Sequence, residues 1–148
     1  MVKALRVDER LIHGQVAMAW TRDLGIQGIM VADDEAASNE MQKMTLKMAV
    51  PDGIKCIIKT VPEIIALLNN PRSEGMRILV LVKTVKNALE VYKAVPGIEY
   101  VNIGNAGRFT SGDGTERTII SRSVSLTPDE VEALKELAAL APDTALQM

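Results

Sequence analysis

Five consecutive aliphatic residues, Ile78-Leu79-Val80-Leu81-Val82, stand between Arg77 and Lys83 with no polar interruption. A strand with one face in water alternates apolar and polar side chains, so an unbroken run predicts a strand covered on both faces. That is the habit of parallel sheets packed between helices. Gly28–Ala32 reads the same way. Strands are expected at Val2–Val7, Gly28–Ala32, Ile54–Lys59, Arg77–Val82, Glu99–Ile103 and Thr118–Val124, with a last one at Ala145–Met148. Helical periods lie between them. Thr60 with Glu63 and Thr127 with Glu130 form capping boxes, the second with Pro128 at the first helical position. Val85, Ala88, Leu89 and Tyr92 mark another amphipathic helix, Met41, Met44, Thr45 and Met48 a fourth, and Val16, Ala19 and Trp20 a fifth. The alternation predicts an α/β fold: a single open, doubly wound, mostly parallel sheet of about 6–7 strands with helices on both faces.

The composition removes several classes of function. A chain of 148 residues suits one domain, and 47% hydrophobic with 24% charged residues suits a packed globule. The net charge of −2 and only four aromatic residues argue against a nucleic-acid binder. One cysteine, Cys56, makes no internal disulfide, and one histidine, His13, builds no His/Cys zinc cluster, so neither a metal nor another cofactor is expected. Apolar stretches such as Ile78–Val82 fall far short of the ~20 residues of a membrane span. Lys3, Arg6, Asp8, Glu9 and Arg10 are unlike a signal peptide, which leaves a cytoplasmic chain as the expectation.

In open sheets of this kind ligands bind beyond the carboxyl ends of the strands. The first strand is followed by Asp8-Glu9-Arg10-Leu11-Ile12-His13-Gly14-Gln15, the second by Asp33-Asp34-Glu35, and the fourth by Lys83-Thr84. The fifth carries Asn102 and leads into Gly104-Asn105-Ala106-Gly107, with Gly112 and Gly114 further on in a stretch read as a loop. An imidazole is a competent nucleophile at cytoplasmic pH. Guanidinium groups such as those of Arg6 and Arg10 hold phosphate through paired hydrogen bonds, and the amides opening the next helix favour the same anion. Together they suggest a histidine that accepts a phosphoryl group, although spacing alone also fits a surface histidine or a helix cap. Asp33-Asp34-Glu35 reads foremost as a helix N-terminus and Lys83-Thr84 as a strand end plus N-cap. The methionines at 41, 44 and 48 read as a packing stripe and Cys56 as core.

The stretch Arg6-Val7-Asp8-Glu9-Arg10-Leu11-Ile12-His13-Gly14-Gln15-Val16 resembles the active-site signature of the IIB components of mannose/fructose/sorbose-type sugar phosphotransferase systems, Arg-x-Asp-Asp-Arg-Leu-Ile-His-Gly-Gln-Val. Asp34-Glu35, Lys47-Met48-Ala49-Val50-Pro51-Asp52-Gly53 and Val101-Asn102-Ile103-Gly104 resemble further family segments, so the similarity covers nearly the whole chain, 1–148, as one IIB domain. Glu9 replaces the commoner Asp, Val50 intrudes where Ala-Pro is usual, and the family usually continues beyond Met148, which leaves open whether the tail is truncated. The resemblance implies a phosphohistidine–sugar phosphotransferase. His13 would be phosphorylated by a IIA protein or domain and would pass the group to a sugar held by the membrane IIC and IID components, at the inner face of the membrane. Arg10 would steady the phosphate, Asp8 would orient Arg10, and Gln15 would bond phosphoryl oxygens or backbone. Arg6, Gly14, Asp34, Thr84, Asn102 and Gly104 would complete the surrounding loops. The sugar, the phosphorylated nitrogen and homodimer formation stay open.

Two other classes compete. A receiver-like signalling domain is phosphorylated on aspartate, but it needs its acidic pair after the first strand and an acceptor aspartate at the third, where this chain has Thr60. A nucleotide-binding module would use the glycine-rich stretch, yet neither phosphate-loop fingerprint is present.

Overall fold

The computed structural model describes residues 1–107 and 116–146. Eight strands alternate with six α-helices: β1 (Val2–Asp8), α1 (Gly14–Leu24), β2 (Gly28–Ala32), α2 (Asp34–Ala37), α3 (Glu40–Met48), β3 (Lys55–Lys59), α4 (Val61–Leu68), β4 (Ile78–Val82), α5 (Val85–Ala94), β5 (Val101–Asn105), β6 (Thr118–Ser121), β7 (Val124–Leu126), α6 (Pro128–Leu140) and β8 (Ala145–Leu146). A 3₁₀ turn at Pro71–Gly75 joins α4 to β4. Six strands form one sheet in the order β3-β2-β4-β1-β5-β8, and every pairing in it is parallel.

The apolar runs divide by strand period. Val2, Leu5 and Val7 of β1, Met30 and Ala32 of β2, and Ile78, Val80 and Val82 of β4 join the core under α4, α5 and α6. Ala4, Ile29, Val31, Leu79 and Leu81 point the other way, into a second core with Ala17 of α1, Ala36 of α2 and Leu46 of α3. Burial on both faces is what removes polar residues from Ile78–Val82, all at most 3% exposed. β1 sits near the middle, and the chain leaves it toward the α1 face, whereas its neighbours β4 and β5 lead to the opposite face through α5 and α6. In open α/β sheets ligands bind where connections diverge in this way, which here is the carboxyl end of β1.

Several expectations need correction. The strand candidate Thr118–Val124 is broken at Arg122-Ser123 into β6 and β7, an antiparallel pair outside the main sheet. Gly104 belongs to β5, not to a loop, because β5 runs Val101–Asn105 instead of Glu99–Ile103. Gly112, Gly114, Gln147 and Met148 lie outside the described residues. The methionine stripe does not pack: Met41, Met44 and Met48 are 79%, 66% and 82% exposed, and α3 turns Leu46 inward instead. Cys56 is half-buried against the second core, and its burial pushes the thiol pKa up.

Candidate functional site

Arg6 and Asp8 point from β1 to the α1 face, a place that aliphatic residues hold elsewhere in the sheet. Both are fully buried. The Arg6 guanidinium donates through Nη2 to Asp8 Oδ2 at 3.1 Å and through Nη1 to Asn102 Oδ1, the residue in register on β5. The Trp20 ring lies 5.5 Å from the Arg6 guanidinium carbon and stacks on Tyr100 at 5.9 Å. A desolvated cation over an aromatic face is held by the ring quadrupole as well as by its counter-ion. Gly104 makes room for this arrangement, since a Cβ there would stand 2.6 Å from Arg6 Nη1.

Asp8 carries the network outward. Its Oδ1 accepts from the Arg10 backbone N at 2.9 Å and from Arg10 Nε at 3.0 Å, and its Oδ2 accepts from Arg10 Nη2 at 3.0 Å. Burial alone would raise the Asp8 carboxyl pKa. The side-chain and backbone hydrogen bonds from Arg10, with the charges of Arg10 and Arg6, outweigh burial and hold it below the ordinary aspartate value. Burial lowers the Arg6 pKa despite the opposing Asp8 carboxylate, whereas hydrogen bonding to Asp8 raises that of the more exposed Arg10.

Arg10 is thereby held bidentately along its Nε/Nη2 edge, and its remaining Nη1 lies 3.3 Å from His13 Nε2. Leu11 N donates to Asp8 O at 2.9 Å, and Leu11 takes the left-handed conformation with φ 59°. For a branched side chain that conformation costs about 1–3 kcal/mol and persists where surrounding structure imposes it. Here the buried side chains of Leu11 and Ile12 anchor the turn and deliver half-exposed His13 to the start of α1. The other helices have side-chain caps: Asp33, Asn39, Thr60, Thr84 and Thr127 each accept from the first turn that follows. His13 provides α1 with no such bond, and no acidic residue occupies the first turn. Uncapped amides at a helix start favour an anion.

Not every residue singled out from the sequence gathers here. Asp8, Arg10, His13, Arg6, Asn102 and Gly104 form one connected group, and Gly14 and Gln15 stand exposed beside it on the first turn of α1. Asp34 accepts from Val61 N at 2.9 Å and so tethers α4 to the end of β2, while Thr84 caps α5. The sequence reading overlooked Trp20 and Tyr100 as supports of Arg6, although an arginine within an apolar strand signals a buried partner. It also left Glu9 without a role: Glu9 Oε1 accepts from Gly107 N at 2.8 Å and pins the chain leaving β5. Among the described residues no three His, Cys, Asp or Glu side chains are grouped to hold a metal ion.

The open parallel sheet makes this an α/β protein, with Arg10 beside His13 ahead of an uncapped helix start, an arrangement that suits an anion. The family model described as the sorbose subfamily IIB component of the phosphotransferase system matches residues 2–142. A probable phosphotransferase enzyme IIB component from Streptococcus pyogenes serotype M6 is 47% identical over 140 residues, 95% of this chain and 86% of the relative. The mannose-specific EIIAB component of Escherichia coli K12 is 33% identical over 134 residues, 90% of this chain and 40% of the relative. The crystal structure of the IIB domain of the sorbose permease from Klebsiella pneumoniae superposes with a TM-score of 0.85 at 25% identity, covering 99% of this chain and 85% of that one. The chain belongs to the sorbose-subfamily IIB components of the phosphotransferase system, and is a phosphoryl carrier in sugar transport.

Proposed function

We propose that His13 is the residue that carries the phosphoryl group, and that Arg10 is the cation that steadies it. The observation that carries this reading is the chain Arg6–Asp8–Arg10–His13, in which a buried carboxylate holds Arg10 bidentately through Nε and Nη2 and leaves Nη1 at 3.3 Å from the imidazole. In the first step a lone pair of a His13 ring nitrogen forms a bond to phosphorus. The N–P bond of a phosphohistidine on a IIA partner breaks, and its electron pair returns to the donor imidazole. In the second step a sugar hydroxyl oxygen forms the new P–O bond, the His13 N–P bond breaks, and the hydroxyl proton leaves to solvent or a base. Both are in-line displacements that need alignment and charge neutralisation more than covalent help. Arg10 supplies the charge, and the uncapped start of α1, at Gly14 and Gln15, supplies amide donors to the phosphoryl oxygens.

The IIA partner is supported by the relative in which IIA and IIB share one name. Membrane IIC and IID components would hold the sugar, and the chain would work on the cytoplasmic face. No helix among the described residues is long and apolar enough to cross a membrane. The receiver-like alternative gains no observation, because Asp33 and Asp34 are committed to capping helices. Transfer assays with His13→Ala and Arg10 variants test the proposal. His13→Ala abolishes phosphoryl acceptance with unchanged circular dichroism, and retained acceptance refutes it.

A further inference from the structure

At the amino ends of the strands, away from His13, a cavity of about 340 Å³ lies between the sheet and the segment from the end of α4 through the 3₁₀ turn. That size falls in the roughly 300–1,000 Å³ range of small-molecule sites. Its floor is Gly28 of β2, in register with Lys55 of the edge strand β3 and with Ile78 of β4. Gly28 keeps the floor open: a Cβ there would lie 2.8 Å from Met76 Sδ. Ile57, Leu67 and Met76 line the walls and are only half-buried.

The charge around it is one-sided. Lys55 and Arg72 both line the cavity, and no Asp or Glu does. Lys3, Lys43, Lys83, Lys86, Lys93 and Lys135 are each paired with a carboxylate, whereas Lys55 and Arg72, like Lys47 and Lys59 elsewhere on the surface, have no ion pair or side-chain hydrogen bond among the described residues. In a chain of net charge −2, two unmatched cations at an apolar cavity point to a ligand with the opposite pattern. We infer that this cavity binds a soluble amphiphilic anion, a compact hydrocarbon or aromatic body ending in a carboxylate, sulfonate or phosphate. The body lies on Ile57, Leu67 and Met76, and the anionic end meets Lys55 and Arg72. From Gly28 to Ala32 at the carboxyl end of β2 is four residue rises, about 13 Å, so the ligand does not compete directly at His13.

The test uses the full chain with decanoate, decyl phosphate and anilinonaphthalene sulfonate as probes and decanol as the neutral control, read by calorimetry and amide chemical shifts. Saturable one-to-one binding with shifts at Lys55, Ile57, Leu67, Arg72 and Met76 is expected. Lys55→Gln with Arg72→Gln, both exposed and compatible with folding, weakens the anions at least tenfold and leaves decanol unchanged. Equal anion binding by that double variant, shifts centred elsewhere, or no saturable binding overturns the inference. Capture only by phosphatidylglycerol vesicles, with no saturation by the soluble probes, overturns it in favour of a membrane-facing patch.

Discussion

Asp8 is the residue whose loss propagates furthest, because one buried carboxylate serves two arginines. Asp8→Asn keeps the shape but replaces an acceptor oxygen with an amide that faces guanidinium donors. Of the four bonds Asp8 accepts, the Oδ1 pair goes to the Arg10 backbone and Nε, and the Oδ2 pair to Arg10 Nη2 and Arg6 Nη2. Whichever way the amide turns, two are lost, and Arg6 stays fully buried without its counter-ion. Breaking a buried pair while leaving one charge behind costs about 3–5 kcal/mol, a large share of the roughly 5–15 kcal/mol that holds a domain together. Urea unfolding followed by Trp20, the lone tryptophan and the ring over Arg6, measures this directly. The pH dependence has a definite sign. The Asp8 carboxyl pKa is lower in the folded chain than its ordinary value of 3.8, so the carboxylate contributes its full stability above 3.8. That contribution disappears as pH falls through the depressed folded value. The gap between wild type and Asp8→Asn is therefore flat at neutral pH and narrows in acid below 3.8. A variant within about 0.5 kcal/mol of wild type, or a gap that does not narrow in acid, refutes the reasoning.

Three further outcomes follow from the same network. Arg10→Ala slows phosphoryl acceptance more than Arg10→Lys, because an ammonium keeps the charge but cannot span both Asp8 oxygens and His13; rapid-quench transfer rates check this, and equal wild-type rates remove Arg10 from the mechanism. Gly104→Ala drives a methyl group into the Arg6 guanidinium and lowers stability by about 1–3 kcal/mol, measured by urea unfolding, with slower transfer as Arg6 and Asp8 shift. Trp20→Leu keeps apolar bulk but loses the ring over Arg6. Denaturation followed by circular dichroism should show a loss of about 1–2 kcal/mol, and no loss would mean that the ring does not hold the cation.

The sheet was legible wherever one physical demand dominated. Gly28–Ala32 matches its strand residue for residue, and Ile78–Val82 lies within the expected run, because burial on both faces leaves no room for polar side chains. The capping boxes at Thr60 and Thr127 and the N-cap at Thr84 stand as their residue types imply. Legibility failed where tertiary contacts overrode local preference. Gly104 and Asn105 are poor strand formers and were expected in a loop, yet β5 includes them beyond Asn102, whose side-chain oxygen Arg6 needs along with the space Gly104 leaves. Helical spacing identifies a face on α3 but not its direction, so a stripe of Met41, Met44 and Met48 reads as inward while Leu46 in fact holds the core. The His13 loop stood out in the sequence through its family signature. Its support did not: the Trp20–Tyr100 stack joins residues 80 positions apart, which no local pattern links.

The central claim is that His13 carries the phosphoryl group. The direct measurement is intact mass after incubation with phosphoenolpyruvate, the general phosphotransferase proteins and a mannose-type IIA, followed by acid and base treatment and peptide mapping. The account predicts one phosphoryl group, stable to base and lost in acid, mapped to His13 and absent from His13→Ala. A base-labile group on another residue, or undiminished phosphorylation of His13→Ala, would contradict it.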